Sequence, residues 1–153
     1  MGDTNSLRIP TGCLVNFISW NVKSLNHPVK RKKVLRDLKY LKAHTAFLKE
    51  THLRTVDQVR LGGGWIGQTY HSNFARGVAI LFKKNIPFHL EKMIADPQGR
   101  YIIVSGHINS FPLTLINIYG PNFDCPDFFR KIFGLIPLAL NPFFFFFFFF
   151  FFP

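Results

Sequence analysis

Acidic residues and cysteine are scarce in this sequence. Its 153 residues hold 8 Asp plus Glu against 19 Lys plus Arg, a formal net charge of +11. Such an excess suits a partner that carries phosphates, because each neutralised phosphate releases condensed counterions. An anionic membrane, RNA or simple solubility would account for the charge as well. Cysteine occurs only at Cys13 and Cys125, with no CxxC and no His/Cys cluster at zinc spacing. That excludes a disulfide framework and makes a reducing, intracellular setting the default. The start, MGDTNSLRIPTG, lacks the apolar core of a secretory signal, so the chain is not expected to be secreted. Gly2 and Ser6 match the loose M-G-x-x-x-[ST] acylation pattern, which is short enough to arise by chance. An uninterrupted apolar run long enough to span a bilayer is also lacking. Ile132 to Phe152 would reach across a bilayer, but Pro137, Asn141 and Pro142 interrupt it, and pure Phe is a poor membrane helix composition. No membrane partner is expected.

Phenylalanine is abundant, but ten of the 20 lie in the unbroken run Phe143 to Phe152. A run of a single residue reads as translation of a repetitive T-rich stretch. The rest has ordinary globular composition, enough for one domain with a core. Cys13 to Trp20 reads as a strand, and Asn26, His27 and Pro28 mark a turn or helix start. From Val29 to Lys42, Val34, Leu35, Leu38 and Leu41 fall at helical spacing. Lys30, Arg31, Lys32, Lys33, Arg36, Lys39 and Lys42 fill the remainder, either as a solvated outer face or as a stripe that holds a nucleic-acid backbone. Thr45 to Lys49 forms the next strand, so the two strands should pair in parallel. Thr51 to Phe74, with Gly62, Gly63, Gly64 and Gly67 around Trp65, reads as a flexible connection, since no Lys-Ser/Thr follows to make a phosphate loop. Strands resume at Gly77 to Phe82, Tyr101 to Ile108 and Leu113 to Tyr119, with turns at Asn85 to Pro87 and Asp96 to Gly99. The class is α/β.

Three apolar stretches end on groups suited to phosphate or metal chemistry. CLVNFISW runs into Asn21, AFLK into Glu50, and LTLINI into Tyr119 and Asn122. Ligands in open α/β sheets sit beyond strand tips, so neighbouring strands would bring these groups together. One carboxylate with amide and phenol groups suits magnesium, which takes one or two protein carboxylates and completes its shell with water and substrate phosphate. Glu50 would bind the ion, Asn21 would orient a phosphate oxygen or a ligand water, and Tyr119 and Asn122 could donate to the scissile phosphate. Each residue alone has a plainer explanation: a solvated Glu, a turn-forming Asn, a core Tyr with a wet hydroxyl.

SWNVKSLN, FLKETHL and INIYGPN, in that order, resemble the endonuclease/exonuclease/phosphatase superfamily, most closely the endonuclease domain of LINE-type (non-LTR) retrotransposons. The linking segments LRTVDQVRLGGGWIGQTYHSNF, RGVAILFKKNIPF and ADPQGRYIIVSGHI resemble that group too, and the resemblance covers roughly residues 14 to 124. It implies a four-layered α/β sandwich and a Mg²⁺- or Mn²⁺-dependent phosphodiesterase that nicks DNA, with nuclear location. Asn21, Glu50, Tyr119 and Asn122 would be its catalytic residues, and Glu50 and Asn21 would hold the metal. The exonuclease III-like apurinic/apyrimidinic repair nucleases share these motifs. Some of them carry Asp two positions after the first Asn, where this chain has Lys23.

After Asn122 the family's Asp-x-Asn motif, which supplies the water-activating Asp, and its Ser-Asp-His motif do not follow. The resemblance therefore implies a partial sandwich whose second half is missing. The division is a polar segment over 1–12, the family-like half over 13–127 and a non-family tail over 128–153. A sheet without its facing layer would expose a large apolar patch, so marginal stability and aggregation are expected. A non-catalytic, nucleic-acid-binding remnant is the alternative to a working enzyme.

Overall fold

The computed structural model describes residues 3–10, 12, 14–53, 64–70, 76–121, 124–139 and 145–150, with side chains described at all of these except 3, 66–70, 139 and 145–150. The elements in chain order are β1 (Asp3–Arg8), β2 (Leu14–Asn21), α1 (Pro28–Tyr40), β3 (Thr45–Lys49), β4 (Trp65–Tyr70), β5 (Val78–Lys83), β6 (Phe88–Ala95), β7 (Tyr101–Ile108), β8 (Phe111–Tyr119), α2 (Pro126–Ala139) and β9 (Phe145–Phe150). They form a five-stranded sheet ordered β1-β2-β3-β5-β4 and a four-stranded sheet ordered β6-β7-β8-β9.

Period-two alternation assigns the faces of each strand. Val15 and Phe17 of β2, Phe47 of β3 and Val78, Ile80 and Phe82 of β5 meet Ile102 and Val104 of β7 and Leu113 and Leu115 of β8 in one buried cluster between the sheets. The alternate residues Ile18, Ala46, Leu48, Ala79 and Leu81 pack outward against Val34 and Leu38 of α1. On the far side, Ile103, Ile116 and Ile118 pack against Phe128, Ile132 and Ile136 of α2. Strands buried on both faces read as continuous apolar runs, which is why β3, β5, β7 and β8 stood out in the sequence. The result is four layers: helix, sheet, sheet, helix.

The α/β class and the partial sandwich are therefore as expected, but several details are corrected. The first sheet does not go without a facing layer, because β6, β7 and β8 supply it from within the chain. The apolar patch from which aggregation was argued is thus closed. The polar start contains β1, which pairs antiparallel with β2 from Asp3↔Ser19 to Arg8↔Leu14. The glycine-rich connection contains β4, paired antiparallel with β5, while 54–63 and 71–75 lie outside the described residues. Helix α2 runs from Pro126 to Ala139.

Helix α1 starts where its chemistry directs. His27 caps it, its Nδ1 accepting from the Val29 amide at 3.3 Å, and Pro28 occupies the first helical position, where no amide is needed. Arg31 is the exception in the basic stripe. It is buried, and its Nη1 donates to the carbonyls of Leu25 (3.0 Å) and Asn26 (3.1 Å). Its guanidinium pins the β2–α1 connection, while Lys30, Lys32, Lys33, Arg36, Lys39 and Lys42 remain exposed.

Candidate active site at the strand ends

Strands β2 and β3 run parallel, in register from Phe17↔Thr45 to Asn21↔Lys49. Their ends therefore leave the sheet side by side. The pairing continues past the strands, with the amides of Val22, Ser24 and Leu25 donating to the carbonyls of Lys49 (3.0 Å), Glu50 (2.6 Å) and Thr51 (2.8 Å). This ladder fixes Asn21 and Glu50 next to each other. Lys23, Ser24, Glu50 and His52 all have positive φ, between 47° and 78°, a region that non-glycine residues seldom occupy. Such strain persists only where the surroundings over-determine it, and it gathers at functional sites.

Tyr119, the last residue of β8, reaches the same point from the second sheet. Glu50 Oε1 accepts from the Tyr119 hydroxyl at 2.7 Å and from Asn21 Nδ2 at 2.9 Å. Asn21 is itself held, its Oδ1 accepting from the Lys23 amide at 3.1 Å. The structure thus brings together three of the four residues singled out from the sequence. The fourth, Asn122, lies outside the described residues.

Electrostatics follow from this geometry. Partial burial alone would push the Glu50 carboxyl up, but the hydrogen bonds from Tyr119 and Asn21, with the nearby charges of His52 and Lys23, hold it below the usual carboxylate range. Tyr119 is pushed up to about 12 by burial, by its bond to Glu50 and by the Glu50 charge, with Arg76 opposing. Glu50 is therefore a fixed anion and Tyr119 a fixed donor at neutral pH. A depressed carboxyl contributes stability above its unfolded pKa and loses it as pH falls through the folded value. A raised phenol contributes stability below its unfolded value near 10 and loses it as pH rises towards about 12. Alkaline titration of tyrosinate absorbance should show one phenol near 12 that disappears in Tyr119→Phe. In Glu50→Gln it should move back towards 10, and an unmoved titration would contradict the bond to Glu50.

The donor set tests which cation would fit. Among the described residues Glu50 Oε2 makes no hydrogen bond, and no group of three His, Cys, Asp or Glu is close enough to hold an ion. Among the described residues, one carboxylate whose second oxygen makes no hydrogen bond fits a magnesium-like ion, which takes one or two protein carboxylates and keeps several waters.

Sequence reasoning passed over a polar layer just beneath these groups. Ser19 and Lys49, both fully buried, face inward, with Lys49 Nζ donating to Ser19 Oγ at 2.6 Å. Asn117, also fully buried, donates Nδ2 to the carbonyls of Leu48 and Ala79, each at 2.9 Å. Each is the polar exception in an apolar run, which was the available signal. His52 and Arg76 act on Glu50 and Tyr119 through charge, and no pattern in the sequence marked them.

No family model matches the chain. Among solved structures it resembles D. rerio TDP2 complexed with a single-strand DNA product, at 17% identity and TM-score 0.60, covering 82% of this chain and 56% of that one. It also resembles the AP endonuclease LMAP from Leishmania major, at 18% identity and TM-score 0.56, covering 75% and 43%. A third is the endonuclease domain of TRAS1, a telomere-specific non-LTR retrotransposon, at 12% identity and TM-score 0.53, covering 78% and 52%. The chain spans about half the length of these structures.

Proposed function

Because this chain has the fold of the endonuclease/exonuclease/phosphatase superfamily, we propose that its strand-end cluster is one wall of a metal-dependent nuclease site of the LINE retrotransposon type. The observation that carries this reading is the clamp on Glu50, whose Oε1 is held by donors from both sheets. Glu50 would hold Mg²⁺ or Mn²⁺ through Oε2, with Asn21 beside it. The ion, when bound, supplies Lewis-acid stabilisation of charge developing on a phosphate oxygen. The chain's own groups do the positioning. Asn21 fixes the carboxylate's rotamer, and Tyr119 keeps its proton and so offers only donation. Asn122, which lies outside the described residues, is proposed to donate to the phosphate.

The partner is DNA, reached through charge. Lys30, Lys32, Lys33, Arg36 and Lys39 are exposed on α1 and Lys42 in the turn that follows it, and α1 leads directly from the loop that carries Lys23. Affinity for duplex DNA should fall steeply with salt. Replacing Lys32 and Lys33 by alanine should reduce the slope of log affinity against log salt by about 1 for each residue, independent of DNA sequence. An unchanged slope would place the backbone contact elsewhere. Chromosomal DNA as substrate would put the site of action in the nucleus. Among the described residues no helix is long and apolar enough to cross a membrane.

Among the described residues Glu50 is the carboxylate at the site, and it serves as a hydrogen-bond acceptor held below the carboxylate range. It is a poor base for activating water. This favours a second reading, that the 153 residues by themselves bind nucleic acid without cutting it. Plasmid nicking with Mg²⁺, compared with Glu50→Ala, separates the two. Nicking that depends on Glu50 shows a working half-site, whereas salt-sensitive binding without nicking, the outcome expected for this chain alone, shows a binding wall. The repair reading is weighed by a third comparison. Lys23 stands where some repair relatives carry an acid, and its charge helps depress Glu50. Equal affinity for intact and abasic duplexes is expected, and a clear preference for the abasic duplex would favour repair.

A further inference from the structure

We propose that Asn117 is the positioning residue that sets the Glu50–Tyr119 contact by tying the two sheets together one step below it; this rests on that contact being the working part of the proposed site. Asn117 lies on β8 two residues before Tyr119, and the alternation of strand faces puts both side chains in the space between the sheets. Its amide crosses that space and donates to the carbonyls of Leu48 and Ala79 at 2.9 Å each. Leu48 and Ala79 are register partners on β3 and β5, so one side chain grips two adjacent strands of the opposite sheet. Leu48 precedes Glu50 by two residues, as Asn117 precedes Tyr119. The chain is therefore tied at matching distances from both members of the contact. Ala79 follows Gly77 by two residues, and the Gly77 carbonyl accepts from the Thr51 amide at 3.1 Å, which braces the other side of Glu50.

The amide is placed at a cost. Two carbonyl acceptors require the NH₂ end to face them, which leaves Asn117 Oδ1 buried without a hydrogen bond. An unpaired buried acceptor is unfavourable. An apolar residue would fill the same space without that burden, as Leu113 and Leu115 do at the preceding inward positions of β8. What an apolar residue could not do is fix how far β8 slides along β3 and β5. Apolar packing is non-directional, whereas two hydrogen bonds from one planar amide fix distance and direction together. The span from Tyr119 hydroxyl to Glu50 Oε1, 2.7 Å, tolerates little sliding.

The test is a double-mutant cycle of Glu50→Gln and Tyr119→Phe, read by urea unfolding in the native and the Asn117→Ala backgrounds. A residue that only stabilises the fold shifts all four midpoints together and leaves the coupling between Glu50 and Tyr119 intact. The expected result is measurable coupling in the native background and its loss in Asn117→Ala. Coupling that survives undiminished overturns the proposal. If the alanine background does not fold, the cycle is repeated on Asn117→Ser, which keeps one donor. A partial loss is then expected, and full retention again overturns the assignment. In the unmodified chain both side-chain amide protons of Asn117 should exchange slowly with solvent, and fast exchange of both would also sink it. Because these readouts follow unfolding and proton exchange, they stand or fall separately from any nicking activity.

Discussion

Replacing Phe47 by alanine is expected to lower the unfolding free energy by about 3–5 kcal/mol, the range for truncating a fully buried aromatic side chain. Phe47 is the central inward residue of β3, with no exposed surface, and its ring lies 6.1 Å from that of Phe17. It belongs to the layer where both sheets meet, with Ile80 beside it on β5 and Ile102, Val104 and Leu115 from the second sheet. Neither sheet can collapse into the vacancy without sliding, because β3 is hydrogen-bonded on both sides, to β2 and β5. Against a typical domain stability of about 5–15 kcal/mol, the loss should be plain in a urea midpoint at unchanged slope. A cost under about 1 kcal/mol would mean that the two sheets do not face each other at this point. The experiment therefore tests the sandwich itself.

Gly106→Ala should be comparably damaging for the opposite reason. A Cβ at this position would lie 2.0 Å from the His89 carbonyl oxygen and 2.7 Å from the Phe88 ring. Glycine is present here for room, since the neighbouring strand β6 bulges against the residue. Leu90 pairs with Gly106, and the register shifts between Leu90 and Lys92, so the added methyl meets backbone at a bulge. The Phe88 ring cannot retreat freely either, being stacked on Phe82 at 4.1 Å and 6°. Overpacking costs typically about 1–3 kcal/mol and occasionally more. A clash with backbone belongs at the upper end, because only strand displacement relieves it. Truncating Phe88 as well removes the ring contact but not the carbonyl contact. Gly106→Ala combined with Phe88→Ala should therefore be less stable than Gly106→Ala alone, and a rescued double variant would show that the ring was the whole obstacle.

The parts of the fold legible in the sequence are those whose burial imposed a pattern. β3 and β7 have the expected bounds, and β2, β5, β8 and α1 differ from expectation by one or two residues at an end. Each is buried on both faces or, for α1, on one stripe. The strands missed are edges or near-edges. In β1 only Leu7 packs against the core, in an otherwise polar DTNSLR. β6 is mostly exposed and carries His89, Glu91 and Lys92. Strand pairing there rests on backbone hydrogen bonds, which leave no signature in side-chain type. α2 was hidden by Pro137 and by proximity to the phenylalanine run, although Phe128, Ile132 and Ile136 sit at helical spacing. At the site, Asn21, Glu50 and Tyr119 were legible because each ends an apolar run. Asn117 was marked only as a polar exception inside such a run, and its role depends on carbonyls far away in sequence.

That distance has a consequence for how the chain acquires its structure. The Glu50–Tyr119 and Asn117–Leu48 bonds each join residues 69 apart, and Asn21–Glu50 joins residues 29 apart. Non-local contacts cannot form until the intervening loop has closed, and their entropic cost is met early while their reward comes late. The parallel β2–β3 pair can organise around the local crossover of α1, whereas the phenol can reach its carboxylate only after β5, β7 and β8 have docked. In a refolding experiment the tyrosine signal at position 119 should thus appear in the slowest phase, after the helical signal. The site then serves as a clock for the last event of folding.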